Sequence, residues 1–164
     1  FGDEQPAEPS ELDLREVVAD VEELLQVQAR KEGIHLSVET PEEPVVVQGT
    51  REHLRQALLN VAVNALEALQ GADEPRRLEI ALTRTDGAAR LSVADSGPGT
   101  TPDLREHLAQ PQAARETGGL GTGLRVARSI AEAHGGRLAV ESPSDGGSEF
   151  FIETPLAERS QTLT

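Results

Sequence analysis

The chain has 164 residues, with 15 Lys+Arg against 29 Asp+Glu, a formal net charge of −14, 37% hydrophobic residues and no Cys, Met, Trp or Tyr. That length suits one domain with a proper core, while the composition excludes disulfides, Cys-based zinc sites and thiol nucleophiles. It also argues against a nucleic-acid binder, because phosphate neutralisation needs clustered cations and Lys31 is the single lysine. No apolar run approaches the ~20 residues that cross a bilayer, so the expectation is a soluble, cytoplasmic domain without membrane contact. The chain does not begin with Met, from which a piece of a longer protein is expected.

Residues 1–11 are rich in Pro and acids and read as a linker. From Leu12 the pattern becomes helical: Leu14, Val17, Val18, Val21, Leu24 and Leu25 recur at three- and four-residue spacing as far as Lys31, before Gly33. Two strands are predicted at 34–40 and 45–48, on either side of the Pro41/Pro44 turn. Thr50 stands as the N-cap of a second helix, about Arg51 to Leu69, with Leu54, Leu58, Val61, Ala62, Ala65 and Leu69 on one face. Strands at 77–84 and 89–95 alternate around Asp86-Gly87 and should pair as a hairpin. The Gly- and Pro-rich stretch from Ser96 to Gly123 reads as a long functional loop, with a short helical pattern near 102–109. A third helix, Leu124 to His134, ends at Gly135-Gly136, and strands 137–142 and 148–155 follow. The order α ββ α ββ, loop, α ββ predicts an α+β fold: a two-layer sandwich whose mixed, largely antiparallel sheet is covered on one face by helices. The residues after 156 form a C-terminal tail.

Four patches can carry chemistry. Asn60 and Asn64 lie one helical turn apart, on a face predicted to be opposite the Leu58/Val61/Ala65 stripe; neutral oxygens so spaced can hold a hydrated Mg²⁺, or simply line a solvated helix face. Asp95-Ser96-Gly97-Pro98-Gly99 ends a strand in a carboxylate that can accept from an exocyclic amine, and its glycines let a flat ring approach the backbone. The alternative is an ordinary Asp-initiated turn. Gly118-Gly119-Leu120-Gly121-Thr122-Gly123-Leu124 runs into a helix, so its N–H groups and the helix terminus suit a polyphosphate; it matches neither a P-loop nor a dinucleotide fingerprint, and a flexible hinge is the plain reading. Ser148-Glu149-Phe150-Phe151 follows a Gly146-Gly147 turn and alone reads as a hairpin.

Taken in order, Asn-x-x-x-Asn-Ala on a helix, Asp-x-Gly-x-Gly 31 residues after Asn64, Gly-x-Gly-x-Gly entering a helix, and Gly-Gly-Ser-x-Phe resemble the N, G1 and G2 boxes of sensor histidine kinases. The resemblance covers about residues 12–156 and implies the Bergerat ATP-binding fold shared with gyrase-type and chaperone ATPases. It implies ATP and Mg²⁺ as ligands. Asn64 would bind the metal, with Asn60 supporting it or its waters. Asp95 would accept from the adenine amino group, with Gly97 and Gly99 lining the base and Ser148 helping to hold it. The turn Gly119-Leu120-Gly121-Thr122-Gly123-Leu124 would meet the phosphates at the hinge of an ATP lid spanning about 98–119. An amide at Asn60, where the hydrolytic relatives carry Glu, implies phosphoryl transfer to a protein rather than hydrolysis.

The sequence departs from the pattern in the lid, where HLAQPQAARET (107–117) lacks the aromatic F box and Arg115 is the candidate cation for the terminal phosphate. Glu67 stands where many relatives have Lys or Arg, and in this the chain resembles the nitrogen-regulator-like branch, which has Asn-Ala-x-Glu-Ala here. None of His35, His53, His107 or His134 has the His-Glu/Asp-x-x-x-Pro context of a phosphoacceptor, and each reads as structural or solvated. The fragment is therefore expected to be a monomer that cannot phosphorylate itself. The implied partners are a His-bearing dimerisation domain of the same homodimeric protein and a downstream response regulator. Two alternatives are a degenerate nucleotide-binding docking module and a serine kinase of the anti-sigma-factor kind, the latter expected to carry Glu at the position of Asn60.

Overall fold

The computed structural model describes residues 8–99, 106, 108, 121–143 and 146–157. In chain order these form β1 (Ser10–Asp13), α1 (Leu14–Lys31), β2 (His35–Glu39), β3 (Val46–Gly49), α2 (Arg51–Leu69), β4 (Arg77–Thr85), β5 (Ala88–Asp95), α3 (Thr122–Ala133), β6 (Arg137–Glu141) and β7 (Ser148–Pro155). Glu106 and Leu108 are also helical.

Five strands make the main sheet in the order β2-β4-β5-β7-β6, with β2 parallel to β4 and the other neighbours antiparallel. A parallel neighbour needs a long crossover, and β3 with α2 supplies it between β2 and β4. The predicted 77–84/89–95 hairpin is the β4–β5 pair, in register from Leu78↔Asp95 to Thr85↔Ala88. Along these strands Leu78, Ile80, Leu82, Leu91, Val93, Phe150 and Ile152 alternate onto the buried face under the helices. The buried residues of α1 and α2 close that core, including Leu14, Val17, Leu25, Leu54, Leu58 and Leu66. Each such side chain contributes about 1.5–3 kcal/mol on burial. On the other face, Phe151 is buried although it lies outside the core, because the Arg90 guanidinium stacks 4.1 Å from its ring centroid. Glu153 holds that arginine and Arg137 in place.

Four expectations change. Ser10–Asp13, read as linker running into helix, pairs antiparallel with β3 from Ser10↔Gly49 to Asp13↔Val46. The helix begins at Leu14 because Asp13 caps it, accepting from the N–H groups of Arg15 and Val45 at 3.1 Å each. Leu24, placed on the buried stripe of α1, is 51% exposed, since the stripe drifts round a helix of 3.6 residues per turn and passes through Leu25 and Ala29 instead. Thr50 does occupy the N-cap of α2, yet its side chain makes no capping bond. The third helix starts at Thr122, two residues ahead of the predicted Leu124.

Candidate functional site

The end of β5 brings the second patch into the middle of the sheet. Asp95 lies opposite Leu78 of β4 and Ser148 of β7 and is 6% exposed. Its Oδ1 accepts the Gly97 N–H at 2.8 Å, while the buried Oδ2 has no hydrogen-bond partner among the described residues. Burial pushes this carboxyl above its ordinary value, and the Gly97 N–H and Ser148 hydroxyl only partly offset that. A buried acceptor left unpaired carries a desolvation cost that a donor from a ligand would relieve.

The surrounding backbone is too close for side chains. A Cβ on Gly97 would stand 3.0 Å from Asp95 Oδ1 and 3.1 Å from the Ala68 carbonyl at the end of α2. A Cβ on Gly147, which has φ of 82°, would collide with the Asp95 carbonyl. The Ser96 hydroxyl ties the corner to the entry of β4, accepting from the Arg77 N–H at 2.8 Å and donating to the Pro75 carbonyl at 3.2 Å. Ser96 and Gly97 line a cleft of about 480 Å³ with Asp73, Arg77, Pro143 and Gly147. They also line a second cleft, with Ala68, Gly71 and Pro98.

Asn60 and Asn64 lie on α2, both half-buried. Their face is not opposite the core stripe, as the sequence reading had it, but turned toward α3. Each residue is one step, about 100°, from Val61 or Ala65, so the amides flank the stripe where another element packs. Asn60 Nδ2 donates to the Gly123 carbonyl at 3.2 Å, and its Oδ1 accepts from Gln56 at 2.7 Å. Asn64 makes no hydrogen bond with a described residue. Gly121 is the N-cap of α3, with Arg125 N–H bonded to its carbonyl at 3.0 Å. Thr122, Gly123 and Leu124 form the first turn, whose N–H groups have no intrahelical acceptor. Arg115, Gly119, Leu120, His107 and most of the lid at 98–119 lie outside the described residues.

The patches thus meet along α2. Its Ala68 carbonyl abuts Gly97 and its Asn60 amide holds Gly123, so Asn64 is one turn from each, midway along about 12 Å of helix axis. A carboxylate acceptor stands at one end of this track, a helix N-terminus at the other and a neutral amide between. Ser148 lies opposite Asp95 in the strand register. The role of His134 was missed: its ring contacts the start of α2, a relationship between residues 84 positions apart that no local pattern encodes. Glu67 is exposed on α2, while His35 and His53 are exposed on β2 and α2.

Known proteins share this fold. The family profile described as "Histidine kinase-, DNA gyrase B-, and HSP90-like ATPase" matches residues 49–158. The sensor histidine kinase TmoS of Ectopseudomonas mendocina is 31% identical over 149 residues, covering 89% of this chain but 15% of that protein. The catalytic domain of the histidine kinase ThkA superposes with a TM-score of 0.77 at 30% identity, over 91% of this chain and 97% of that one. A second structure, of ThkA in complex with the response regulator protein TrrA, gives 0.73 at 29% identity, over 91% of this chain and 42% of that one. This chain spans less than half the length of the sensor kinases TmoS and SasA. With a profile match over most of its length and a sheet-and-helix layout that superposes on a kinase catalytic domain, the chain belongs to the histidine kinase-, DNA gyrase B- and HSP90-like ATPase family.

Proposed function

We propose that this chain is the catalytic, ATP-binding domain of a sensor histidine kinase, with residues 12–156 as the domain and about 98–119 as its ATP lid. The observation that carries the reading is Asp95 Oδ2, a buried acceptor without a partner at the mouth of β5. An adenine amino group is a donor of the right kind for it, and Gly97 and Gly99 keep the approach open to a flat ring, with Ser148 alongside. The first turn of α3, Gly121 to Leu124, faces the phosphates with unpaired N–H groups. By the family resemblance, Gly119, Leu120 and Arg115 would add to that contact. In a chain of charge −14, this uses dipoles and backbone donors rather than a basic patch.

The residues present fit Mg²⁺ as a phosphate-borne ion. No cluster of three or more His, Cys, Asp or Glu able to cage a metal occurs among the described residues, which suits an ion held mainly by phosphates and water. Asn64 offers a free amide oxygen to it. Asn60, whose oxygen is engaged by Gln56, supports its waters. When bound, the ion neutralises the β and γ phosphates. The chain's own residues orient the nucleotide: Asp95 fixes the base, the α3 terminus fixes the phosphate end, and the amide at Asn60 supplies no base to activate water, so transfer to an imidazole is favoured over hydrolysis.

The acceptor His belongs to a dimerisation domain outside this chain, and a response-regulator Asp receives the phosphoryl group next, making the whole protein a homodimer and this fragment a monomer. None of the described helices is long and apolar enough to cross a membrane; a cytoplasmic site of action is part of the proposal. The lid stretch without an aromatic favours one rival, a docking module that binds nucleotide without transfer.

Calorimetry with ATP, with and without Mg²⁺, tests the reading. Binding that strengthens with Mg²⁺ and disappears in Asp95→Ala is expected, and no heat at millimolar ATP overturns it. Incubating the full-length protein with labelled ATP separates kinase from docking module. An acid-labile phosphohistidine is expected of the kinase, and binding without label favours the module.

A further inference from the structure

Helices α2 and α3 run antiparallel, and side-chain hydrogen bonds tie both ends of α3 to α2. At one end Asn60 Nδ2 holds the Gly123 carbonyl. At the other, His134, the C-cap of α3, accepts the Thr50 N–H at 3.1 Å through Nε2 and is bonded through Nδ1 to the Ile130 carbonyl at 2.8 Å. A carbonyl only accepts and an amide N–H only donates, so the partners fix the ring as the neutral tautomer with its proton on Nδ1. Roughly ten residues of each helix lie between the two ties, about 15 Å of axis. Gly49 makes room for the ring: a Cβ there would stand 2.5 Å from His134 Cδ2 and 2.8 Å from Nε2.

The sheet end of the nucleotide track does not depend on this pair in the same way. Asp95 and Ser148 sit on β5 and β7, in a register held by strand hydrogen bonds. Gly123 and Asn64 instead sit on two different helices, and their relative position along the axis is set by what prevents one helix sliding on the other. Apolar packing resists sliding only weakly, since ridges can re-seat one turn along. Directional hydrogen bonds at the two ends do not re-seat.

We propose that His134 is a positioning residue: with Gly49 and Thr50 it clasps the C-terminus of α3 to the N-terminus of α2, and so sets the register of the phosphate-binding first turn of α3 against Asn64. The proposal rests on the nucleotide reading above. It makes His134 important for the triphosphate and its metal, and indifferent for the base.

The test uses the 164-residue chain, with Mg·ATP affinity by calorimetry and adenosine binding by NMR titration. His134→Ala is expected to weaken Mg·ATP by about tenfold, as displacement of a distant positioning contact can do, while adenosine binding stays unchanged. Gly49→Ala, which displaces the ring without touching His134 itself, is expected to give the same loss. The double variant should lose no more than either single, because both remove one interaction. His134→Gln, whose amide oxygen can accept from Thr50, is the conservative arm and should recover most of the affinity. Equal losses of adenosine and Mg·ATP would mark a merely structural role and overturn the proposal, as would no loss, or additive losses. If the unmodified chain binds no nucleotide, the functional reading fails, not the clasp. Amide exchange then decides: His134→Ala should release Thr50 and, at the far end, Arg125, and unchanged protection at Arg125 would overturn the clasp.

Discussion

Gly147 and Asp95 touch backbone to backbone: the turn before β7 lies so close to the end of β5 that no side chain fits at 147. That contact seats the Gly146-Gly147 turn against the Asp95 main chain, so two separate stretches of sequence build one corner. Gly147→Ala combines a left-handed φ of 82° with a collision against the Asp95 carbonyl. It should cost about 2 kcal/mol or more, lowering the melting temperature by roughly 4–8 °C. Gly146, at φ 100° but with nothing within 4 Å of its added Cβ, gives the control. Gly146→Ala carries backbone strain alone, about 1 kcal/mol, and paired thermal melts would show whether the order holds.

Asp95→Asn separates stability from binding. Burial raises the folded-state pKa of this carboxyl. Between the unfolded value of 3.8 and that raised value the folded chain holds more protons than the unfolded one. Stability from this group therefore falls as pH rises through the window, and the full penalty is present above it. The neutral amide avoids it and keeps an oxygen for the Gly97 N–H. The expected outcome at pH 7 is a melting temperature no lower than that of the parent, together with loss of ATP binding. A clear drop in melting temperature would contradict the assignment of a buried, only partly compensated charge.

Asn64→Ala removes an amide that bonds to no described residue, and Ala is the better helix former by about 0.5 kcal/mol. Stability should hold or rise slightly. ATP affinity measured without metal should not change, and the increment that Mg²⁺ adds should vanish, read by calorimetry in EDTA and in millimolar Mg²⁺.

Asp13 makes three contacts: it caps α1, accepts from Val45 ahead of β3 and pairs with Arg15 at 2.8 Å. Burial pushes its carboxyl up, but the bonds from Arg15 and Val45 outweigh it and hold the folded pKa below 3.8. Its contribution is thus complete above the unfolded value and lost as pH falls through the folded one. Asp13→Ala should cost about 1–2 kcal/mol at pH 7, and Asp13→Asn, still a good cap, distinctly less. Denaturant melts at pH 7 and pH 3 should show the Asp13→Ala deficit shrinking in acid.

The helices and hairpins were legible because their signals are local. The three- and four-residue apolar spacing of α1 and α2, the Asp86-Gly87 turn between β4 and β5 and the glycines after α1 and α3 each act within a few residues. The candidate site residues could be named for a related reason: Asn64 stands out by its spacing along one helix and Asp95 by its position at a strand end, and the roles proposed for them come from the family resemblance. β1 was not legible. SELD has too little apolar content to announce a strand, and it becomes one because β3 offers it a row of backbone partners. Nor could periodicity say which side of α2 Asn60 faces; the arrival of α3 at Gly123 settled that. The orphaned Oδ2 of Asp95, the Gly147 contact and the His134 clasp all join residues far apart in the chain. The sequence by itself determined where most of the helices and hairpins form and which side chains are candidates for the chemistry. Tertiary structure alone decided which groups are left unpaired and which helix ends are tied, because those depend on distances between elements that no local spacing encodes.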